Sequence, residues 1–402
     1  MALGALIGAY QEDDSGGLRA LLPLAGRTLI EYQARCAAAA GAAPVVVVVE
    51  RVPTALNDAF ERLRSEGINL TPVSDGNEAA SRFEPGNLIL MIADGCAPDM
   101  PLIARIAGAG EPAIATVPDD EAHAEFERLD ATSRWGGVAL VDGRTLGATA
   151  AMLGDWDLQS TLLRRTVQAG AIRVRVGDDP FASPLLATRP GETADFERRL
   201  LVASRGARRD WVSRYILPIV EEFATERLME TRVRPEWLIA GSLALTLAAA
   251  LAFTRGWLLP ALGMLILASP LDLVADRLAT LRMRPLSAGS LMRRAMWPAA
   301  GLALVGLGWW NANHGGGWGA MVAALSTAAF AQAARIERGG EDQPLEIWLF
   351  SMRTAVFGAV PFALAGWWNA ALAALALYAA TSFFLIQHVR HKIAPPMDNP
   401  HN

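Results

Sequence analysis

Residues Ser269 to Trp297 read SPLDLVADRLATLRMRPLSAGSLMRRAMW, where a long apolar run ends and two aspartates and five arginines follow. Asp272 and Asp276 are four residues apart, so a helix continuing through them carries both carboxylates on one face. Ionisable groups at the end of a run long enough for a membrane are functional candidates by default. Two readings of the pair stay open. It is a two-carboxylate metal site, or it is an arginine–aspartate cluster in which Arg293 and Arg294 supply the balancing charge and hold helices together.

Outward from this stretch the chain falls into unlike halves. Its 402 residues are 52% hydrophobic, with a mean hydropathy of +0.25, high for a wholly soluble protein. The excess lies after about Pro235. Six apolar segments are expected there: Trp237–Phe253, Trp257–Val274, Ala295–Trp310, Trp318–Ala334, Thr354–Trp368 and Asn369–Gln387. Trp257, Trp309, Trp310, Trp318, Trp367 and Trp368 stand at their ends, as interfacial anchors do. The connections Arg277–Arg294 and Arg335–Arg353 and the tail Arg390–Lys392 are basic, so both termini are placed in the cytoplasm. Between Asp195 and Pro235 arginines abound, and Trp211, Tyr215, Ile216, Ile219 and Phe223 recur at helical spacing. This predicts a basic amphipathic helix on an anionic membrane surface. The expected division is 1–204 head, 205–234 juxtamembrane helix, 235–392 six-span membrane domain and 393–402 cytoplasmic tail.

A net charge of −5 supplies no basic field for nucleic acid. Cys36 and Cys96 have neither metal nor disulfide spacing and read as buried thiols of a reducing compartment. Met1 to Tyr10 lacks the basic n-region of a signal peptide. Lys392 is the single lysine, so every other basic side chain of the Lys and Arg class is arginine.

In the head, Val45–Val49, Leu88–Ala93, Ala113–Val117 and Val138–Val141 read as strands covered on both faces. Helical spacing alternates with them at Thr28–Ala40, Pro53–Glu66 and Ser160–Gln168, the last capped by Asp157 or Ser160. The alternation predicts an α/β layer fold with a mainly parallel sheet. Asp94 falls at the C-terminal end of a buried strand, where open α/β sheets bind ligands; it also fits a simple strand-to-loop turn before Gly95. His123, the head's one histidine, sits in a polar loop and reads as solvated.

Two resemblances fit this layout. The opening ALIGAYQEDDSGGLRALLPLAGRTLIEYQ is similar to that of the sugar-nucleotide and cytidylyl nucleotidyltransferases, a strand, a Gly-rich loop, a Lys-x-Leu and an AGRPLIEY-type helix start, with Leu21 to Arg27 and Leu29 to Tyr32 in register. The resemblance implies a Rossmann-like, GT-A-type domain. It also implies that Gly8, Gly16, Gly17 and Arg19 approach a nucleotide triphosphate, Arg19 at the place of the lysine, and that Asp94 holds magnesium. Glu12, Asp13 and Asp14 lie inside that loop, where carboxylates repel phosphate. The second magnesium ligand has several candidates, Asp130, Asp142, Asp178 and Asp179.

Ser269 to Trp297 itself resembles the signature of the CDP-alcohol phosphotransferases, D-x2-D-G-x2-A-R-x8-G-x3-D-x3-D, and DWVSRYILP at Asp210–Pro218 resembles the lead-in of bifunctional enzymes that join both domains. Asp272, Ala279 and Gly289 match. Ala275, Asp276, Thr280, Arg293 and Trp297 replace the second aspartate, the glycine, the arginine and the last two aspartates. In that family the four aspartates hold divalent metal on the CDP pyrophosphate; here one remains. The architecture implied is an α/β nucleotidyltransferase-like head on a six-helix membrane domain, multi-pass in the inner membrane and associated with membrane lipid. Three functions stay open: a divergent protein of polar-headgroup metabolism that has lost transfer activity, an active membrane-anchored nucleotidyltransferase using CTP or another NTP with Mg2+, and a scaffold for a partner lipid-synthesis enzyme or a homodimer. A magnesium site built on Asp272 and Asp276 is the enzymatic reading of the membrane half.

Overall fold

The computed structural model describes residues 2–152, 157–176, 184–204, 210–229, 231, 233–283, 291–338 and 346–393. Asp178, Asp179, Arg205, Arg208, Arg209, Arg232, Gly289 and the tail 394–402 lie outside the described residues. The chain divides into two compact units: Met1–Ser204 with Thr280–Arg284, and Arg205–Ala279 with Pro285–Asn402.

In the first unit the β-branched runs form one seven-stranded mixed sheet. Its strands are β1 (Leu3–Gly8), β2 (Val45–Val48), β3 (Leu70–Val73), β4 (Leu88–Ile92), β5 (Ala113–Pro118), β6 (Ser133–Asp142) and β7 (Ile172–Arg175), in spatial order β7-β5-β6-β4-β1-β2-β3. Only β6 runs antiparallel, against both β4 and β5. The four central valines of β2 and five of the six residues of β1 are buried, as strands sandwiched between helices require. Pro72 cannot donate to a ladder and sits on β3, at the sheet edge. The helices α1 (Leu29–Ala39) and α2 (Thr54–Ser65) begin where the spacing places them, and α3 (Leu158–Gln168) begins two residues earlier than expected, because Asp157, not Ser160, caps it by accepting the Ser160 N–H. From β1 the chain crosses to β2 on one side and later returns to β4 on the other. The C-terminal ends of β1 and β4 therefore flank a topological switch point.

The second unit is helical. It contains α4 (Trp211–Tyr215), α5 (Pro218–Met229), α6 (Pro235–Thr254), α7 (Leu258–Ala268), α8 (Leu271–Leu281), α9 (Leu291–Asn311), α10 (Gly317–Arg338), α11 (Met352–Leu364) and α12 (Trp368–Ile393). Among the described residues, four segments are long and apolar enough to cross a membrane: Pro235–Thr254, Leu258–Leu281, Leu291–Arg338 and Trp368–Val389. The third, 48 residues long, is two helices, because His314 and Gly315 leave helical geometry between α9 and α10, Gly315 at φ +95°. Small residues bring the helices close, as packing in lipid favours. A Cβ on Gly308 would lie 2.6 Å from that of Ala324 on α10, and one on Gly306 2.8 Å from the Ala250 carbonyl on α6.

One expectation needs correction. Trp310 and Trp368 are not free interfacial anchors: Trp310 stacks on His314 at 4.3 Å and Trp368 meets Phe253 edge-on. Their neighbours Trp309 and Trp367 are the exposed members of the two Trp-Trp pairs. In the juxtamembrane segment the apolar positions Tyr215, Ile216, Ile219 and Phe223 all face outward. On α5, Glu221 and Thr225 are buried while Ile219 and Phe223 are 80% and 67% exposed. The polarity is inverted because Glu221 has a buried arginine, Arg277 on α8, to receive its charge at 3.2 Å. The outer face is then free to be apolar.

Candidate functional site

The head's candidate site lies at the switch point. Gly8 ends β1, and a Cβ there would lie 2.9 Å from Gln159 Oε1 and 3.1 Å from Asp94 Cβ, so only glycine lets the strand, α3 and Asp94 converge. Asp94, two residues past β4, is 2% exposed. Its Oδ2 accepts the N–H groups of Tyr10 and Gln11, both at 2.7 Å, and its own N–H donates to Gln159 Oε1. Its Oδ1 is buried without a partner. Burial raises the Asp94 carboxyl above the ordinary aspartate value, opposed by the Gln11 and Tyr10 N–H groups and the Arg19 charge. The Tyr10 hydroxyl donates to Asp157 Oδ2 at 2.6 Å, and burial together with that carboxylate raises the phenol well above its usual value.

The Gly-rich loop is closed on itself. Asp13 Oδ1 accepts the N–H groups of Ser15 and Gly17, both at 2.8 Å, and the Asp13 carbonyl accepts that of Gly16. Asp13 N–H goes to the Gly17 carbonyl and Asp14 N–H to that of Thr188. Successive N–H groups of this kind make an anion-binding nest; here the anion is the loop's own Asp13 carboxylate, held below its ordinary value first by the Ser15 hydroxyl. The other two acids do not point charge into a cradle. Glu12 pairs with Arg51 and Asp14 with Arg189. Arg19 donates to the Glu12 carbonyl and to Gln11 Oε1, bracing the loop's base. Gly8, Gly16, Gly17, Arg19 and Asp94 thus come together in one place, and the N–H groups from Tyr10 to Gly17 that the hydrogen bonds describe are already accepted within the head.

Asp130 and Asp142 are elsewhere. Asp130 takes the Thr132 and Ser133 N–H groups and pairs with Arg173, and Asp142 caps the helix Gly143–Ala150. Among the described residues no group of three or more His, Cys, Asp or Glu side chains is placed to hold a metal.

In the helical unit, Asp272 and Asp276 do share one face of α8, and each faces an arginine. Arg353, second residue of α11, forks across two carboxylates: Nη1 donates to Asp210 Oδ2 at 3.0 Å and Nη2 to Asp272 Oδ2 at 2.5 Å. Its Nε reaches the Ser269 carbonyl at the C-terminus of α7, where a cation is favoured. Asp210 uses its other oxygen to cap α4 through the Ser213 N–H. Asp276 pairs with Arg293 of α9.

The expected pairing therefore needs correction. Arg293 has its aspartate, but Asp272 is held by Arg353, and no carboxylate among the described residues lies within ion-pair range of Arg294. Divalent cations need several oxygen ligands. With both carboxylates of α8 committed to guanidinium groups, the donor set at Asp272 and Asp276 does not fit Mg2+. Sequence reasoning missed Arg353, Asp210, Glu221 and Arg277. The one signal was at Arg353, a lone charge at the mouth of an apolar run; Glu221 and Arg277 stand beside other charges, Glu222 and Asp276.

These side chains line a cavity of about 420 Å³ walled by Ser242, Thr246, Asp272, Arg293, Arg335 and Arg353 among others. A second cavity of about 490 Å³, mostly apolar but edged by Arg294, Gln332 and Arg335, lies among α7, α9, α10, α11 and α12.

No protein-family model matches the chain, and no curated protein does. Among solved structures, the chain is similar to a nucleotidyl transferase from Methanothermobacter thermautotroptrophicus, at 17% identity and a TM-score of 0.36, over 50% of this chain and 99% of that one.

Proposed function

We propose that the chain is a multi-pass inner-membrane protein of polar-headgroup metabolism, with a nucleotidyltransferase-like head of GT-A type and a membrane domain that has given up metal-dependent CDP-alcohol transfer. The observation that carries this is the Arg353 fork on Asp272 and Asp210: a guanidinium stands where the resembled family places metal on its first aspartate. Such a group neutralises the carboxylates permanently and coordinates nothing. Six crossings, counting α9 and α10 separately and including short α11, with both termini in the cytoplasm, accord with the basic connections. In this role the membrane domain holds lipid, or holds a partner lipid-synthesis enzyme or a second copy of itself, and the head's closed loop is a retained turn.

The test is transfer. Full-length protein reconstituted in phospholipid vesicles with magnesium is offered CDP-linked alcohol donors and radiolabelled acceptor, and no product is expected. A magnesium-dependent product that disappears in Asp272→Asn and Asp276→Asn overturns the reading.

A second reading rests on a separate observation, the unpartnered buried Oδ1 of Asp94 at the switch point. In an active nucleotidyltransferase that oxygen would help hold Mg2+ beside CTP or another NTP, once the loop released Asp13. Calorimetric titration of CTP, then ATP, UTP and GTP, with magnesium into the full-length protein decides it. Binding at tens of micromolar that weakens in Asp94→Asn favours the active head; no heat favours the retained turn.

A further inference from the structure

The two cavities of the helical unit share Leu265, Arg294, Trp297, Arg335, Met352 and Val356, so a polar chamber opens directly into an apolar one. Four arginines line the polar chamber. Arg293 and Arg353 are neutralised by Asp276, Asp272 and Asp210. Arg294 and Arg335 have no carboxylate within ion-pair range among the described residues, and both stand at the boundary between the chambers. Arg335 Cζ lies over the Trp297 ring, 4.8 Å from its centre, a cation–π contact that holds the guanidinium at this boundary. Beyond it the apolar chamber is walled by Phe253, Leu304, Leu307, Phe350, Trp368 and Leu375 and neighbouring alanines.

We infer that this double cavity is a binding site for one anionic phospholipid, its phosphate received by Arg294 and Arg335 and an acyl chain lying in the apolar chamber. Two uncompensated guanidinium groups match the charge of a phosphomonoester headgroup and bind its oxygens through charge-assisted forks. The hydroxyls of Ser242, Thr246 and Ser269 do not compete for it, because each donates to a helix carbonyl. The inference deepens the reading above, since it rests on Asp272 and Asp276 being held by arginine instead of metal.

The test is native mass spectrometry of the full-length protein in detergent, titrated with equal dioleoyl phosphatidate and dioleoyl phosphatidylcholine. Phosphatidate is expected to be retained in preference by roughly tenfold, the effect of one charge-assisted contact. Arg294→Gln with Arg335→Gln removes the preference, and Arg255→Gln, in the turn after α6, keeps it. Ala328→Trp, which fills the apolar chamber, lowers retention of both lipids and reports on the tail without touching an arginine. Equal retention of the two lipids, or a preference unchanged in the double variant, overturns the inference. So does displacement of phosphatidate by excess inorganic phosphate, which would make the arginines a site for a free anion. A magnesium-dependent transfer lost in Asp272→Asn would defeat the functional reading and leave the retention ratio standing; a lost ratio without such activity defeats this inference alone.

Discussion

Asp94 in the head and Asp272 in the membrane region are the aspartates that two resemblances mark as metal ligands, and they have been settled in opposite ways. Asp94 is secured by neutral donors, the main-chain N–H groups of Tyr10 and Gln11, and keeps one oxygen bare. Asp272 is secured by a full positive charge that it shares with Asp210. The difference follows from surroundings. An α/β switch point is rich in strand-end N–H groups with nothing to bond, whereas helices have spent theirs internally and leave only side chains to answer a carboxylate. Each carboxylate is thus held by whatever donor its fold has to spare.

The comparison breaks most visibly at Arg353. Arg353→Ala removes the one cation that two carboxylates share, leaving Asp210 only the Ser213 N–H, and a loss of about 3 kcal/mol is expected. It is read from the unfolding midpoint of the full-length protein in detergent, with Asp272→Asn restoring part of it. A midpoint unchanged by Arg353→Ala would mean that water already serves both aspartates. Asp94→Ala should cost less, about 2 kcal/mol for two hydrogen bonds to a carboxylate. Hydrogen exchange localises this effect: the Tyr10 and Gln11 amides should lose protection while those of β2 keep it.

The pH response sharpens the contrast further. Because burial raises the Asp94 carboxyl from its ordinary value near 3.8, the folded head binds its proton more tightly than the unfolded chain does. Its contribution to stability is therefore greatest at acid pH and is lost as pH rises from about 3.8 through the raised value. Asp94→Asn should flatten that limb. Glu31 runs the other way. Burial by itself would raise it, but Arg62, Thr28 and Arg35 outweigh burial and hold it below 4.5. Its contribution is present above about 4.5 and disappears as pH falls through the lowered value, so Glu31→Gln should remove an acid-side loss. The smallest effect is expected from Asp13→Ala: faster exchange at Ser15 and Gly17, with the unfolding midpoint little moved. Protection kept at those two amides would show that the loop does not depend on its own anion.

The strands Val45–Val48, Leu88–Ile92 and Ala113–Pro118 were legible because strands covered on both faces are written in uninterrupted apolar letters. The same rule hid half of β6, where Ser133 to Gly137 mixes arginine, tryptophan and two glycines, and it hid β7, an exposed edge reading Ile-Arg-Val-Arg. Asp94 stood out as an acid after an apolar strand. What binds it did not, since a backbone N–H has no letter of its own. Asp272 was legible by spacing, but Arg353 is 81 residues away and meets it only in three dimensions.

Arg353 also carries a consequence for how the chain is made. Helix α11 has 13 residues, roughly 20 Å at 1.5 Å per residue against a hydrocarbon core of about 30 Å, and it opens with this charge. Alone it is a poor candidate for release sideways from a translocation channel. Asp210 and Asp272 both precede it in the chain and leave the ribosome first. Formation of the Arg353 fork is accordingly ordered by the chain: both receiving carboxylates are synthesised before the short helix that brings the arginine.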